Sequence, residues 1–262
     1  MKTDSDLRRK LRLETAFTSL SESARVQAVA QRITAAVHLG LLGEGEQLPS
    51  EADLASKLSV STVTVREALV HLRAQGLIET KRGRHGGSFV RRTGGTPRDV
   101  LNKRLRTYTA AEWRDLCDEQ LAVEAGVAYL AAQRATREDI DHLHAVVEML
   151  SAARSPADRY KADSQFHLAL AVVSQSEGLA RSAIRIQSET ADILWLPIPD
   201  DELDPAVIQS AHTEIVAAIE ARDDELAGQL ARAHAEAGAR RIRQLHLKAV
   251  AGGRGRRAKQ TS

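Results

Sequence analysis

Apolar residues recur at helical spacing along most of the chain, with one short stretch of strand character near residue 80. Val26, Val29, Ala30, Ile33 and Val37 form one stripe from Glu22 onward, and Gly40, Gly43 and Gly45 end that helix. Ser50 opens a second, short helix. Asp53, three residues later, gives the spacing of a capping box, and Ser59-Val60-Ser61 interrupts the pattern. A third helix is predicted from about Thr62 to Gln75, stopping at Gly76. Leu77-Ile78-Glu79-Thr80 and Ser88-Phe89-Val90 then read as two short strands around a basic, glycine-rich turn, Lys81 to Gly87. Residues 1–21 are polar without a sustained period and are expected to form a mobile arm.

After Thr93-Gly94-Gly95-Thr96-Pro97 the helical spacing returns and dominates. Leu116, Val123, Val127 and Leu130 share one stripe. Further helices are predicted near 136–152, 157–174, 178–194, 205–221 and 224–246, with the main break at Leu196 to Asp201. The predicted fold is mainly α, with an N-terminal winged helix-turn-helix and a C-terminal all-α antiparallel helical bundle. Its expected divisions are the arm at 1–21, the winged domain at 22–93, a linker at 94–108, the bundle at 109–247 and a basic disordered tail at 248–262.

Composition narrows the class only slightly. A hydrophobic fraction of 43% and a charged fraction of 27% suit a soluble globular chain. No apolar run approaches the ~18 residues of a membrane span, and the first residues lack the apolar core of a secretory signal. Cys117 is the single cysteine, which excludes an internal disulfide and a cysteine-rich zinc motif. A cytoplasmic location, without a membrane partner, is expected. The formal net charge of +2 conceals an uneven distribution: 16 bases against 10 acids over 1–98, 16 against 25 over 99–247, and five against none over 248–262. Basic ends suit an anionic partner, and the acidic middle suits another task.

The winged segment has the residues for DNA. A helix enters the major groove and reads base edges near its N-terminus. Here that segment carries Ser61, Thr62, Val63, Thr64 and Arg66. The hydroxyls suit phosphates or bases, Val63 suits a thymine methyl, and Arg66 suits a phosphate or a guanine edge. Lys81, Arg82, Arg84 and His85 add charge on the wing. The same charge run also suits a solvated wing that contacts protein.

In the bundle, four polar residues stand where apolar ones are expected. Asp163 and His167 are four apart on one helix face beside Phe166 and Leu170. His212 falls on the stripe of Ile208, Ile215 and Ile219, and His234 on that of Leu230 and Ala237. A break near Arg222-Asp223 lies ten residues after His212 and eleven before His234. At a helical rise of 1.5 Å per residue both lie about 15–17 Å from the turn, so an antiparallel hairpin sets them side by side. Three imidazoles and a carboxylate suit Zn, Ni, Mn or Fe as divalent ions. Taken singly, each histidine also suits a hydrogen-bonded core position, which is the reading of His38, His71, His142, His144 and His246.

LPSEADLASKLSVSTVTVREALVHLRAQGLIETKRGRHGGSFVRR resembles the DNA-binding domain of GntR-type regulators, a likeness that covers about residues 24–92. Residues 110–240 resemble the FCD domain of the FadR subfamily. Asp163-Ser164-Gln165-Phe166-His167 matches its D-x-x-F-H motif, His212 and His234 match its remaining ligands, and Asp223 matches its helix start. The resemblance implies a homodimer on a short pseudo-palindromic operator, a metal held by those four residues, and an organic or sugar acid as the small-molecule effector. Four departures qualify it. Ala52 and Thr62 stand where relatives often carry arginines that help read the operator. Gln120 stands where the R-x-x-x-E pattern, ending here at Glu124, places an arginine that grips the effector. Ser176 replaces a frequent asparagine.

The expected function is a sequence-specific transcription regulator gated by a metabolite at a metal site, with no enzymatic activity. The alternatives are a metal-dependent hydrolase or lyase fused to a DNA-binding domain, and an architectural binder that uses both basic ends.

Overall fold

The computed structural model describes residues 22–83, 86–91, 98–196 and 203–260. The expected arm at 1–21, the first residues of the expected linker, and the wing residues Arg84 and His85 lie outside them.

Helix α1 (Glu22–His38) buries Val26, Val29 and Ile33 from the predicted stripe. Helix α2 (Glu51–Leu58) is capped by Ser50, whose Oγ accepts the Asp53 N–H at 3.1 Å. Asp53 takes the Ser50 hydroxyl at 2.6 Å. Ser59 ends the helix in the left-handed region at φ 53°. Helix α3 (Thr62–Ala74) buries Val65, Ala68, Leu69 and Leu72. It stops before Gly76, whose φ of 74° suits a residue without Cβ. Strands β1 (Ile78–Lys81) and β2 (Gly87–Val90) pair antiparallel, with Ile78 opposite Val90 and Lys81 opposite Gly87. Three helices and a hairpin make a winged helix-turn-helix.

The remainder is helical. Helix α4 (Arg98–Thr107) corrects the expected linker. Its Leu101 and Leu105 are buried in the main core, and Thr107 hydrogen-bonds back to the Lys103 carbonyl. The glycine and proline signals before it masked an i, i+4 apolar pair, too few residues to register as a period. Helix α5 (Ala110–Arg134) starts with a complete capping box between Thr109 and Glu112, and α6 (Arg137–Ala152) with one between Thr136 and Asp139. Helices α7 (Pro156–Val173), α8 (Glu177–Leu194), α9 (Pro205–Glu220) and α10 (Asp224–Gln260) follow close to their predicted places. The exception is the C-terminal end: α10 continues to Gln260, so the segment expected as a disordered tail is helical over most of its length. Once a helix is nucleated each added residue gains a backbone hydrogen bond, a cooperativity that composition alone does not register.

By contacts the chain divides into two units. One comprises Met1–Thr34 with Glu44–Arg91, the other Ala35–Gly43 with Arg92–Ser262. In the second unit the turn between α9 and α10 is fixed by Arg222. Its backbone is left-handed at φ 61°, and its guanidinium donates to the carbonyls of Ala132 at 3.0 Å and Ala135 at 2.5 Å. The end of α5 is thereby tied to the hairpin that carries His212 and His234. Among the described residues no helix is long and apolar enough to cross a membrane.

Candidate metal centre and DNA-reading surface

Asp163 and His167 project from one face of α7, His212 from α9 and His234 from α10. Each offers one ligand atom, and the four atoms lie within 4.8 Å of one another. His212 Nε2 and His234 Nε2 stand 3.2 Å apart, the side-by-side placement predicted from the hairpin. Two nitrogens about 2.1 Å from one ion, at tetrahedral or right-angled positions, would be separated by about 3.0–3.4 Å. Asp163 Oδ1 is 3.5 Å from His212 Nε2 and 3.8 Å from His167 Nε2. That oxygen is buried without a hydrogen-bond partner. A buried carboxylate oxygen facing three imidazoles fits a cation better than it fits a closed core, where such an atom is costly.

Packing and hydrogen bonds orient the set. Phe166 stacks on the His212 ring, with centroids 3.8 Å apart. The buried Trp195 indole donates to Asp163 Oδ2 at 3.0 Å, and Glu124 Oε1 lies 3.5 Å from His167 Nδ1. Partners of this kind fix which atom a ligand presents. Burial pushes the His167 and His212 imidazoles below their usual range, and His234 down to about 4. At neutral pH all three are therefore uncharged, the form that coordinates metal. Burial raises the carboxyls of Asp163 and Glu124.

Beside His167 lies a cavity of about 10 Å³, the room one water needs. It is bounded by Glu124 and Val127 of α5, Leu170 of α7, and Ile186 and Gln187 of α8. Gln120, the residue expected to meet an effector, is buried one turn before Glu124 and donates to Glu124 Oε1 at 2.7 Å.

The other histidines divide. His71, His142 and His144 are exposed, which corrects their reading as core residues. His144 instead meets Glu220 at 3.2 Å, while His246 bonds the Leu105 carbonyl at 2.7 Å.

On the winged unit, Ser61, Thr62, Val63 and Arg66 are exposed at the start of α3. Thr64 corrects its own prediction. It is buried, with its Oγ1 2.8 Å from the Ser61 hydroxyl, so it completes the cap of α3 instead of facing out. Arg66 directs Nε and Nη2 to Glu51 Oε2 at 3.1 and 2.9 Å, joining α2 to α3. Lys81 lies 4.5 Å over the Phe89 ring and 3.6 Å from Glu79, whereas Arg82 is exposed and has no partner among the described residues.

Sequence reasoning did not single out Trp195, Gln187 or Glu51. Trp195 gave one usable signal, since a buried indole N–H requires an acceptor. Gln187 follows Ile186 on a largely apolar face and gave a weak one.

Comparison with known proteins follows the same division. Residues 25–90 match the family described as bacterial regulatory proteins, gntR family, and residues 115–237 match the FCD domain. A protein of Mycobacterium gastri named as the HTH-type transcriptional regulator RmpR is 40% identical over 83% of this chain and 80% of its own length. The Uxu operon transcriptional regulator of Escherichia coli K12 is 29% identical over 68% of this chain and 71% of its own. A solved structure of a GntR transcriptional regulator from Rhodococcus sp. RHA1 is 24% identical, covers 84% of this chain and 97% of its own, and superposes with a TM-score of 0.47.

Proposed function

The chain belongs to the GntR family of bacterial transcription regulators and carries an FCD domain, and from that premise we propose that a small acid bound at a divalent metal in the helical unit controls its hold on an operator. It is a DNA-binding regulator, a class without enzymatic activity, so the hydrolase or lyase alternative is set aside. In this reading residues 22–93 read DNA as a homodimer, residues 109–247 sense the effector, and the protein works in the cytoplasm.

The observation that carries the sensing half is the convergence of Asp163, His167, His212 and His234, with Asp163 Oδ1 buried and unpartnered among them. Such a donor set suits Zn, Ni, Mn or Fe as divalent ions. Four protein ligands leave room in a six-coordinate sphere for oxygens of the effector, for which the ion would serve as a Lewis-acid anchor. The adjoining cavity holds about one water, so an effector enters only with movement of its wall. Binding of that kind favours one population over another, which is how a ligand alters operator affinity.

On the winged unit, Ser61, Thr62, Val63 and Arg66 would meet the groove, with Lys81, Arg82, Arg84 and His85 along its backbone.

Metal analysis of the purified full chain tests the reading. We expect about one divalent ion per chain, lost in Asp163→Ala, and a mass of two chains by light scattering. Metal-loaded and metal-free protein should differ in the thermal shift that hydroxy acids produce. Full thermal response of the metal-free protein, or metal retained by Asp163→Ala, would overturn the sensing half and leave the operator-binding half intact.

A further inference from the structure

A groove of about 200 Å³ runs between α5 and α10. Buried Cys117 of α5 and Ala239 of α10 lie at its base, two side chains too small to fill the space between the helices. Arg114 of α5 and Arg240 and Arg243 of α10 are exposed along its sides. None of these three guanidinium groups has a hydrogen bond or an ion pair among the described residues. Other arginines of the same unit do: Arg104 bonds Asp192, Arg137 meets Glu220, Arg181 meets Glu177 and Arg232 meets Glu236. Acids outnumber bases there, 25 to 16 over residues 99–247, so a shortage of carboxylates does not explain three unpaired arginines in one recess. Asp118 and Glu236 complete the charged lining, and Glu236 is already committed to Arg232 at 3.3 Å. The recess is left with an excess of positive charge.

We propose that this groove binds a phosphate dianion, either free or as the monoester of a small hydroxylated molecule.

Guanidinium presents a planar fork of N–H donors that matches phosphate oxygens two at a time, and it stays charged at any working pH. A phosphate group brings three acceptor oxygens and about −1.5 to −2 charges near neutral pH, enough to engage three guanidinium groups at once. A lone carboxylate has two oxygens and one charge, which a single arginine satisfies. A recess lined mostly by one sign of charge also draws in ions of the other. Asp118 offers an acceptor for a hydroxyl of the ester. The groove is separate from the cluster of Asp163 and three histidines. Arg243 follows His234 by nine residues, about two and a half turns at 3.6 residues per turn, so the two project from opposite sides of α10. Phosphate held here needs no metal.

Inorganic phosphate and glycerol phosphate are the probes, titrated by calorimetry into the full chain. One anion should bind per chain. Arg240→Ala/Arg243→Ala should weaken that binding tenfold or more, and Asp163→Ala should leave it within twofold. Both arginines are exposed, so the double variant should melt with the wild type. Tighter binding of glycerol phosphate identifies a monoester as the occupant, and equal or weaker binding identifies the free ion. Three results overturn the proposal: neither probe binds at millimolar concentration, the double variant binds as well as the wild type, or binding is lost in Asp163→Ala, which would move the anion to the histidine cluster. A fall from two chains to one by light scattering in the double variant would assign the groove to contact between copies and overturn it as well.

Discussion

Trp195 donates its indole N–H to Asp163 Oδ2 at 3.0 Å, which leaves Oδ1 as the oxygen that faces His167 and His212. One hydrogen bond therefore selects which half of the carboxylate is offered to a metal. It also locks the side chain against rotation, because the other oxygen is already committed.

Trp195→Phe should keep the aromatic packing with Tyr160 and Leu150 and remove only that bond. Loss of a group that orients a ligand typically weakens metal affinity by about 10–100-fold. Competition against a chromophoric chelator measures the change, and circular dichroism checks that the helices remain. Affinity within twofold of the wild type would show that Asp163 needs no such orientation.

Acid should destabilise the metal-free protein in a defined window. In an unfolded chain imidazoles titrate near 6.5, while burial takes His234 down to about 4 in the fold. Between these values the unfolded chain binds a proton that the folded one refuses. Stability contributed by this group is thus fully present above about 6.5 and declines as pH falls toward 4. The transfer is worth at most about 3 kcal/mol. Urea unfolding at pH 7.5, 6, 5 and 4 follows it, and His234→Gln should flatten the slope. A His234→Gln profile as steep as the wild type would assign the window to other groups.

The chain's pattern carried the winged unit almost residue by residue, because caps, glycine stops and a basic hairpin turn are local signals. Thr64 shows where that stops: the rule placing residues near a helix start against DNA says nothing about which side of the helix each one occupies. The cluster of Asp163 with three histidines was legible for a different reason. Polar groups at apolar positions are conspicuous, and the distances of His212 and His234 from one turn set their register. Trp195 and Gln187 meet the site only through packing between helices distant in sequence, for which a single sequence holds no register. Helix α4 escaped because two buried leucines are too few to make a period.

That helix is held by charge as well as by its leucines. Arg104 bonds Asp192 and donates to the Glu189 carbonyl at 3.0 Å, and the Tyr108 hydroxyl donates to Glu189 Oε2 at 2.8 Å. The Tyr108 phenol is pushed up to about 12 by burial and by this glutamate. Arg104→Ala should cost about 1.5–3 kcal/mol, the range for a hydrogen bond to a charged group in a shielded site. Hydrogen exchange should show protection lost first over residues 98–107. Loss spread evenly over the bundle would mean that α4 is held by Leu101 and Leu105 alone.

The winged unit separates exposed residues from residues that shape the helix. Val63 is exposed on α3, Thr64 is buried against Ser61, and Arg82 extends from the wing without a partner among the described residues. Selection from random duplexes should give one preferred sequence for the wild type and the same sequence for Thr64→Val, whose change is confined to the helix cap. Val63→Ala should relax the preference at a single base pair, as expected where a methyl group is read. Arg82→Ala should weaken binding to every duplex alike and lower the dependence of log affinity on log salt by about one, the signature of one lost phosphate contact. A changed sequence preference in Thr64→Val would mean that α3 rotates on DNA and exposes the hydroxyl that it now buries.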